Sequence, residues 1–290
     1  MIMKKYKSFI PTLGAALLLS LGSAFCAQAA DIGWVTEDGT WRYKDASGNY
    51  VTNTWKTSGD SSFYLGSDGK MTVNQWIDDE YYVNDSGAMV KNSWIHITEE
   101  GGSKPAGWYY TDSKGKLERD GWETIGTYKY AFDSDGRMRT GWFFDGDDIY
   151  YLGDENDGTM ARDTWLELTE HPASCDDKDE LAEGDTDEMP EDGDSNWYYF
   201  ESDGTPAYLN AKASSMSRAT TKVNGDSYFF NPYGVRQTGM IRIVNQSGEE
   251  MVGYFEDSNS DGKMVTGKKT NLNVDGDSGT YYFADSGSDK

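Results

Sequence analysis

The stretch GWETIGTYKYAFDSDGRMRTGW, residues 121–142, decides how this chain is read. It holds a Gly-Trp pair at Gly121-Trp122, then an aromatic run at Tyr130-Ala131-Phe132. An acidic turn follows at Ser134-Asp135-Gly136, with Arg137-Met138 behind it, and a second Gly-Trp pair closes the stretch at Gly141-Trp142. Aromatic runs favour strands, and Asp-Gly supplies the positive φ that a tight reversal needs. The stretch therefore reads as an aromatic strand, a turn and a short second strand.

Copies of this unit lie on both sides. Phe63-Tyr64-Leu65 runs into Ser67-Asp68-Gly69-Lys70-Met71, and Tyr81-Tyr82-Val83 into Asp85-Ser86-Gly87-Ala88-Met89. Trp108-Tyr109-Tyr110 precedes Lys114-Gly115, Tyr150-Tyr151-Leu152 precedes Asp157-Gly158-Thr159-Met160, and Trp197-Tyr198-Tyr199-Phe200 precedes Ser202-Asp203-Gly204. Trp34, Trp55, Trp76, Trp94, Trp122, Trp142 and Trp165 recur at intervals of 21, 21, 18, 28, 20 and 23 residues. No long helical periodicity interrupts the series, so the fold class is all-β. A single hairpin buries too little apolar surface to offset the entropy of ordering it. The expected architecture is a β-hairpin solenoid of about ten tandem aromatic repeats that share their ring faces. On that reading most of the rings are packing between repeats.

The N-terminus reads differently. Lys4, Lys5 and Lys7 precede an uncharged, mostly apolar run from Phe9 to Phe25, and Ala27-Gln28-Ala29 offers small residues for cleavage. Residues 1–29 are expected to be a secretory signal peptide, with no membrane span left after its removal. Cleavage would take Cys26 and leave Cys175 as the one cysteine, so stability must come from packing rather than disulfides. It would also move the net charge from −24 to −24 − 3 = −27. Such a charge excludes nucleic acid as a partner, because phosphate backbones require clustered Lys and Arg.

These residues resemble the cell-wall-binding repeats of Gram-positive surface proteins, the family that includes choline-binding modules and glucan-binding repeats. The resemblance covers nearly everything from Ile32 onward. It implies a secreted, wall-associated binding protein whose partner is a choline-substituted teichoic acid or a glucan. In choline-binding members the ligand sits between adjacent repeats, against the Gly-Trp tryptophan, the first tryptophan of the hairpin and an aromatic residue of the next hairpin. Several ring faces turned toward one quaternary ammonium suit such a ligand. Carried onto this chain, the resemblance implies cages at Trp34, Trp41 and Phe63 or Tyr64; at Trp94, Trp108 and Tyr130; and at Trp165, Trp197 and Phe229. The chain departs from the pattern elsewhere. Ser62, Glu80, Lys129, Ile149, Ser227 and Thr280 stand where the first hairpin tryptophan belongs, and Met240 and Lys268 stand where a Gly-Trp tryptophan belongs. The expected divisions are a tryptophan-rich array at 30–165, an acidic insertion at 166–196, and degenerate repeats at 197–290 that stop partway through a hairpin.

Other chemistry is weakly signalled. Residues 166–196 hold thirteen acids and one base, Lys178, and read as a solvated loop; Asp185, Asp187 and Glu188 are its candidate calcium ligands. Asp257 to Gly262 matches the start of an EF-hand loop, but Lys268 replaces its closing glutamate, so it reads as a turn. With His96 and His171 as the two histidines and no phosphate or dinucleotide fingerprint, the chain is expected to have no catalytic domain, metal or cofactor. The rival readings are a structural stalk or protein-binding adhesin, and a fragment of a larger wall hydrolase or glucosyltransferase.

Overall fold

The computed structural model describes residues 32–98, 102–172, 193–208, 216–244, 247–248, 250–256, 261–274 and 277–283. Among them are twenty-one strands and one four-residue helix, Met216–Ala219. The strands form ten antiparallel sheets, nine of two strands and one of three, and each sheet joins strands consecutive in sequence. The all-β hairpin repeat is thus the fold.

The hairpin is drawn differently from the sequence reading. In β1 (Gly33–Glu37) and β2 (Thr40–Lys44) the tryptophan-bearing strand comes first and the aromatic strand second. They are joined by Asp38 and Gly39, both at positive φ (50° and 73°), the geometry that matches strand twist in a two-residue loop. The Ser-Asp-Gly turn follows the aromatic strand, and the expected second strand shrinks to one bridge, such as Leu65↔Met71, Val83↔Met89 or Phe132↔Met138. This later turn is held by the residue that opens it. Asp133 Oδ1 accepts from the Asp135 and Arg137 amides at 3.0 and 2.8 Å, and Asp45, Asn84, Asp112 and Asn231 do the same in their own turns.

Consecutive hairpins are linked by backbone as well as side chains. The Met71 amide donates to the Trp41 carbonyl (2.8 Å), Met89 to Ser62 (2.8 Å), Leu117 to Glu80 (2.9 Å), Met138 to Trp108 (2.7 Å) and Met264 to Ser227 (2.8 Å). The turn glycine of the next repeat then lies over this methionine or leucine. A Cβ on Gly136, at φ +82°, would sit 2.7 Å from Leu117 Cδ2 and 2.9 Å from the Glu118 carbonyl oxygen.

The chain forms two compact units, Met1–Arg139 with Glu155–Gly158, and Thr140–Asp154 with Thr159–Lys290. The first contains the buried clusters around Trp76, Ile95, Tyr109 and Leu117, and around Tyr110, Tyr130, Phe132 and Met138. The second contains those around Trp142, Tyr198, Phe200 and Val235; around Ala207, Val223, Tyr228 and Phe230; and around Ala219, Phe229, Met251 and Phe255. Each cluster pools side chains from neighbouring hairpins, as stacking requires. The acidic insertion connects β13 (Thr164–Leu168) to β14 (Asn196–Phe200), so Leu166–Leu168 and Asn196 are strand residues. The candidate calcium ligands, Cys175, residues 1–31 and Asp257–Ser260 lie outside the described residues.

The stacked glycines give a stability prediction. Gly136→Ala combines an unfavourable left-handed backbone with overpacking and is expected to cost about 2–4 kcal/mol. Gly126→Ala, at φ +66° with nothing within 4 Å, should cost only about 1–2 kcal/mol. Chemical denaturation of the two variants checks this, and equal losses would contradict it.

Candidate functional site

The strand register places the tryptophan of the first strand opposite an aromatic residue of its own hairpin in six repeats. Trp34 faces Tyr43, Trp55 faces Tyr64, Trp76 faces Tyr82, Trp94 faces Tyr110, Trp142 faces Tyr151 and Trp165 faces Tyr199. Each of these tryptophans also reaches a ring of the next hairpin: Phe63, Tyr81, Tyr109, Tyr130, Tyr198 and Tyr228 respectively, at centroid distances of 4.8–5.7 Å. Edge-to-face contact at this range is the favoured aromatic arrangement. Trp122 is the exception, since its cross-strand partner is Ala131.

At two junctions the first hairpin tryptophan adds a wall. Trp41 meets Trp34 at 6.5 Å and 82°, and Phe63 meets Trp34 at 5.4 Å. Trp108 meets Trp94 at 6.4 Å and 86°, and Tyr130 meets Trp94 at 4.8 Å. The two junctions repeat one geometry, a right-angled corner of two indoles backed by a ring from the next hairpin. All four tryptophans of these corners are half-buried, whereas Trp76 and Trp142 are buried and serve as core. Trp142 also donates its Nε1 hydrogen to the Glu170 carbonyl at 3.1 Å. One residue here was not anticipated: His96, directly across the ladder from Trp108, stacks on it at 4.2 Å and 5°.

The remaining candidate residues fall as follows. Of the alternatives Phe63 and Tyr64, it is Phe63 that meets Trp34, while Tyr64 packs within its own hairpin against Trp55 at 5.2 Å. The third set needs a correction. Phe229 does not join Trp165; Tyr228 does, at 4.8 Å and 64°. Successive strand residues point to opposite faces, so a one-residue shift sends Phe229 to the far side, where it is buried against Phe255 at 5.7 Å. Trp197 meets Trp165 through a side chain that the sequence reading passed over: Arg236 Cζ lies over both rings, 5.8 Å from Trp165 and 5.4 Å from Trp197. Lys104 likewise lies over Trp76 at 5.3 Å and Tyr109 at 5.9 Å, and Lys129 over Trp122 at 4.2 Å. Among the described residues, no lysine or arginine lies over Trp34, Trp41, Trp94 or Trp108.

Residues 49–88 and 70–102 match a choline-binding repeat, residues 120–165 match a second choline-binding repeat, and residues 191–205 match a cell wall binding repeat. These three segments are choline-binding or cell wall binding repeats. The chain is 26% identical over 246 residues to Glucosyltransferase-S of Streptococcus mutans, covering 80% of this chain and 14% of that protein. The modular autolysin LytC of Streptococcus pneumoniae shares the fold at a TM-score of 0.50 and 22% identity, over 87% of this chain and 51% of that one. Choline binding protein F of the same organism, solved with a peptidoglycan analogue, matches at a TM-score of 0.44 and 27% identity, over 71% of this chain and 58% of that one. The chain therefore spans about half of the autolysin, and far less of the glucosyltransferase.

The rings that join these cell-wall-binding repeats have an electrostatic signature. Burial pushes the Tyr109 hydroxyl up to about 12, and burial also raises Tyr198 and Tyr228. Each is the next-hairpin ring under a tryptophan. Because the folded form holds a proton that the unfolded chain releases from about pH 10, their contribution is complete below that pH. It is then lost as the pH rises toward 12. Denaturation midpoints measured across this range should fall, with tyrosinate absorbance from these rings appearing only as the protein unfolds. Tyrosinate at Tyr109 near pH 10 in the folded chain, read as the absorbance difference between the parent and Tyr109→Phe, would contradict it.

Proposed function

We propose that this chain is a secreted, non-catalytic protein that attaches noncovalently to a cell-wall polymer bearing quaternary ammonium groups, choline above all. The observation that carries this reading is the repeated corner: Trp34 with Trp41 at 82° and Trp94 with Trp108 at 86°, each backed by a ring of the following hairpin. A trimethylammonium group seated in such a corner lies against two indole faces, whose negative quadrupoles attract it, and its methyl groups displace water from both. Cation–π attraction of about 2 kcal/mol with added apolar contact corresponds to binding of about 1 mM per corner. Two weak sites on one polymer then gain avidity through effective concentration. The acidic chain is suited to a cationic ligand and opposes polyanionic ones. The apolar run and small-residue exit before Ile32 support export.

A second reading, a glycan laid on the half-buried rings, is favoured by the relationship to Glucosyltransferase-S over 80% of the chain. The same titration separates the two. Choline chloride added against tryptophan fluorescence and calorimetry, with sodium chloride at equal strength as control, should report two equivalents. Trp41→Ala and Trp108→Ala should each remove one and weaken any residual binding there at least about tenfold. The choline reading is overturned if neither variant changes the response or if choline gives none, and a response to soluble glucan alone would move the conclusion to the second reading.

A further inference from the structure

The third corner contains the same parts as the other two, with one exchange. Trp165 stands at the position of Trp34 and Trp94, each opposite a tyrosine of its own hairpin. Trp197 stands at the position of Trp41 and Trp108, and Tyr228 meets Trp165 at 4.8 Å and 64° just as Tyr130 meets Trp94 at 4.8 Å and 66°. The exchange lies after the turn. The Gly66 amide bonds the Lys70 carbonyl, and the next residue is Met71; the Asp133 amide bonds the Arg137 carbonyl, and the next residue is Met138. In the third case the Asn231 amide bonds the Val235 carbonyl, and the next residue is Arg236. Methionine follows the turn beside the two corners without a basic residue, and arginine beside the third.

We propose that Arg236 is the built-in cation of the Trp165–Trp197 corner, taking the place where a quaternary ammonium group binds at the other two, so that the chain closes this junction to ligand and uses it for its own cohesion. Arg236 Cζ lies 5.8 and 5.4 Å from the two indole centroids. One guanidinium nitrogen, Nη1, donates to the Asp261 carbonyl at 3.1 Å. Its Nε is buried with no hydrogen-bonding partner. Gly262, the turn glycine of the next repeat, covers the group: a Cβ there would lie 2.9 Å from Arg236 Nε and 3.1 Å from Cζ. A ligand could enter only by displacing Arg236. The first unit uses the same device by another route. Lys104, 3% exposed, comes from the connection between β7 (Ser93–Ile97) and β8 (Gly107–Thr111) and lies over Trp76 and Tyr109. There it pairs with Asp79 at 2.7 Å and donates to the Asp135 carbonyl at 2.8 Å.

The claim that ligand is excluded rests on the quaternary-ammonium reading above; the claim that Arg236 is held by the two indoles does not, so each has its own measurement in the full chain. In calorimetric titration with choline chloride at matched ionic strength, Arg236→Met should bind one equivalent more than the parent, and adding Trp197→Ala to that variant should remove it. A parent that binds choline while Arg236→Met gains nothing overturns the exclusion. A parent and variant that both fail to bind overturn the ligand reading instead. The second measurement needs no ligand. In thermal unfolding, Arg236→Gln and Trp197→Ala combined should lower Tm by clearly less than the sum of their separate effects, and Arg236→Lys should lose less than Arg236→Gln. Strict additivity overturns the resident cation whatever choline does.

Discussion

One tryptophan touching two hairpins is the constraint on which the rest of this structure depends. At six of the seven recurring tryptophans from Trp34 to Trp165, the indole lies against a tyrosine across its own ladder and also against a ring of the next hairpin. A two-stranded hairpin is at best marginal by itself in water. The indole gives it a partner at the cost of making it dependent on its neighbour, which is why the buried side chains form several junction clusters instead of one core. Where the tryptophan is lost, the register survives and the contact changes. Met240 pairs with Tyr254 and Lys268 with Tyr282, and the strands there lengthen to six to eight residues, so backbone pairing carries more of the hairpin.

A second link frees one position from structural duty. The residue after the turn donates its amide to the carbonyl of Trp41, Ser62, Glu80, Trp108 or Ser227 in the preceding hairpin. That position contributes its carbonyl to the stack, and a carbonyl is supplied by any residue. Its side chain can therefore be tryptophan, serine or glutamate without altering the repeat. Ring walls for a ligand can be added or deleted at this position while the tryptophan opposite the tyrosine continues to hold the hairpins together. The separation of the two roles explains how a chain keeps a regular fold while its junctions differ in chemistry.

The sequence carried the repeat plainly, because Gly-Trp pairs, aromatic runs and Asp-Gly turns each have a local physical cause. Three things were less legible. The hairpin partner was misdrawn because two turns per repeat are rich in Asp and Gly, and nothing local says that Asp38-Gly39 joins long strands while Ser67-Asp68-Gly69 closes on a single bridge. The expected place of Phe229 fails because three aromatic residues stand in a row at Tyr228-Phe229-Phe230, and the pairing of Thr221 with Tyr228 turns Tyr228 and Phe230 toward Trp165 and Phe229 away. Arg236 and Lys104 were invisible for a different reason. Each lies about 30–70 residues from one or more of the rings it covers, and a charged residue in an acidic, turn-rich chain reads as surface. The one local sign was an arginine at a place in the unit where methionine is usual.

That sign has a physical meaning beyond this corner. An indole wall turns its negative face inward whether or not a ligand is present. A corner of such faces is a poor site for water and a favourable one for a cation, so a repeat with both tryptophans has an electrostatic demand that something must meet. Methionine, flexible and polarisable, pads the edge of the corner and leaves the demand to a cation from outside. Arginine meets it from within, since its guanidinium is flat enough to lie over a ring and stays charged even though burial works against the charge. One side-chain choice after the turn thus moves a junction from recognition to cohesion with no change in the backbone around it. The chain's net charge of −24 makes the internal solution easier, because a cation held this way is also drawn to the acidic turns around it, as Lys104 is to Asp79. Corner and cation are best regarded as one unit, in which the tryptophans set the demand and the residue after the turn decides whether the protein or its partner answers it.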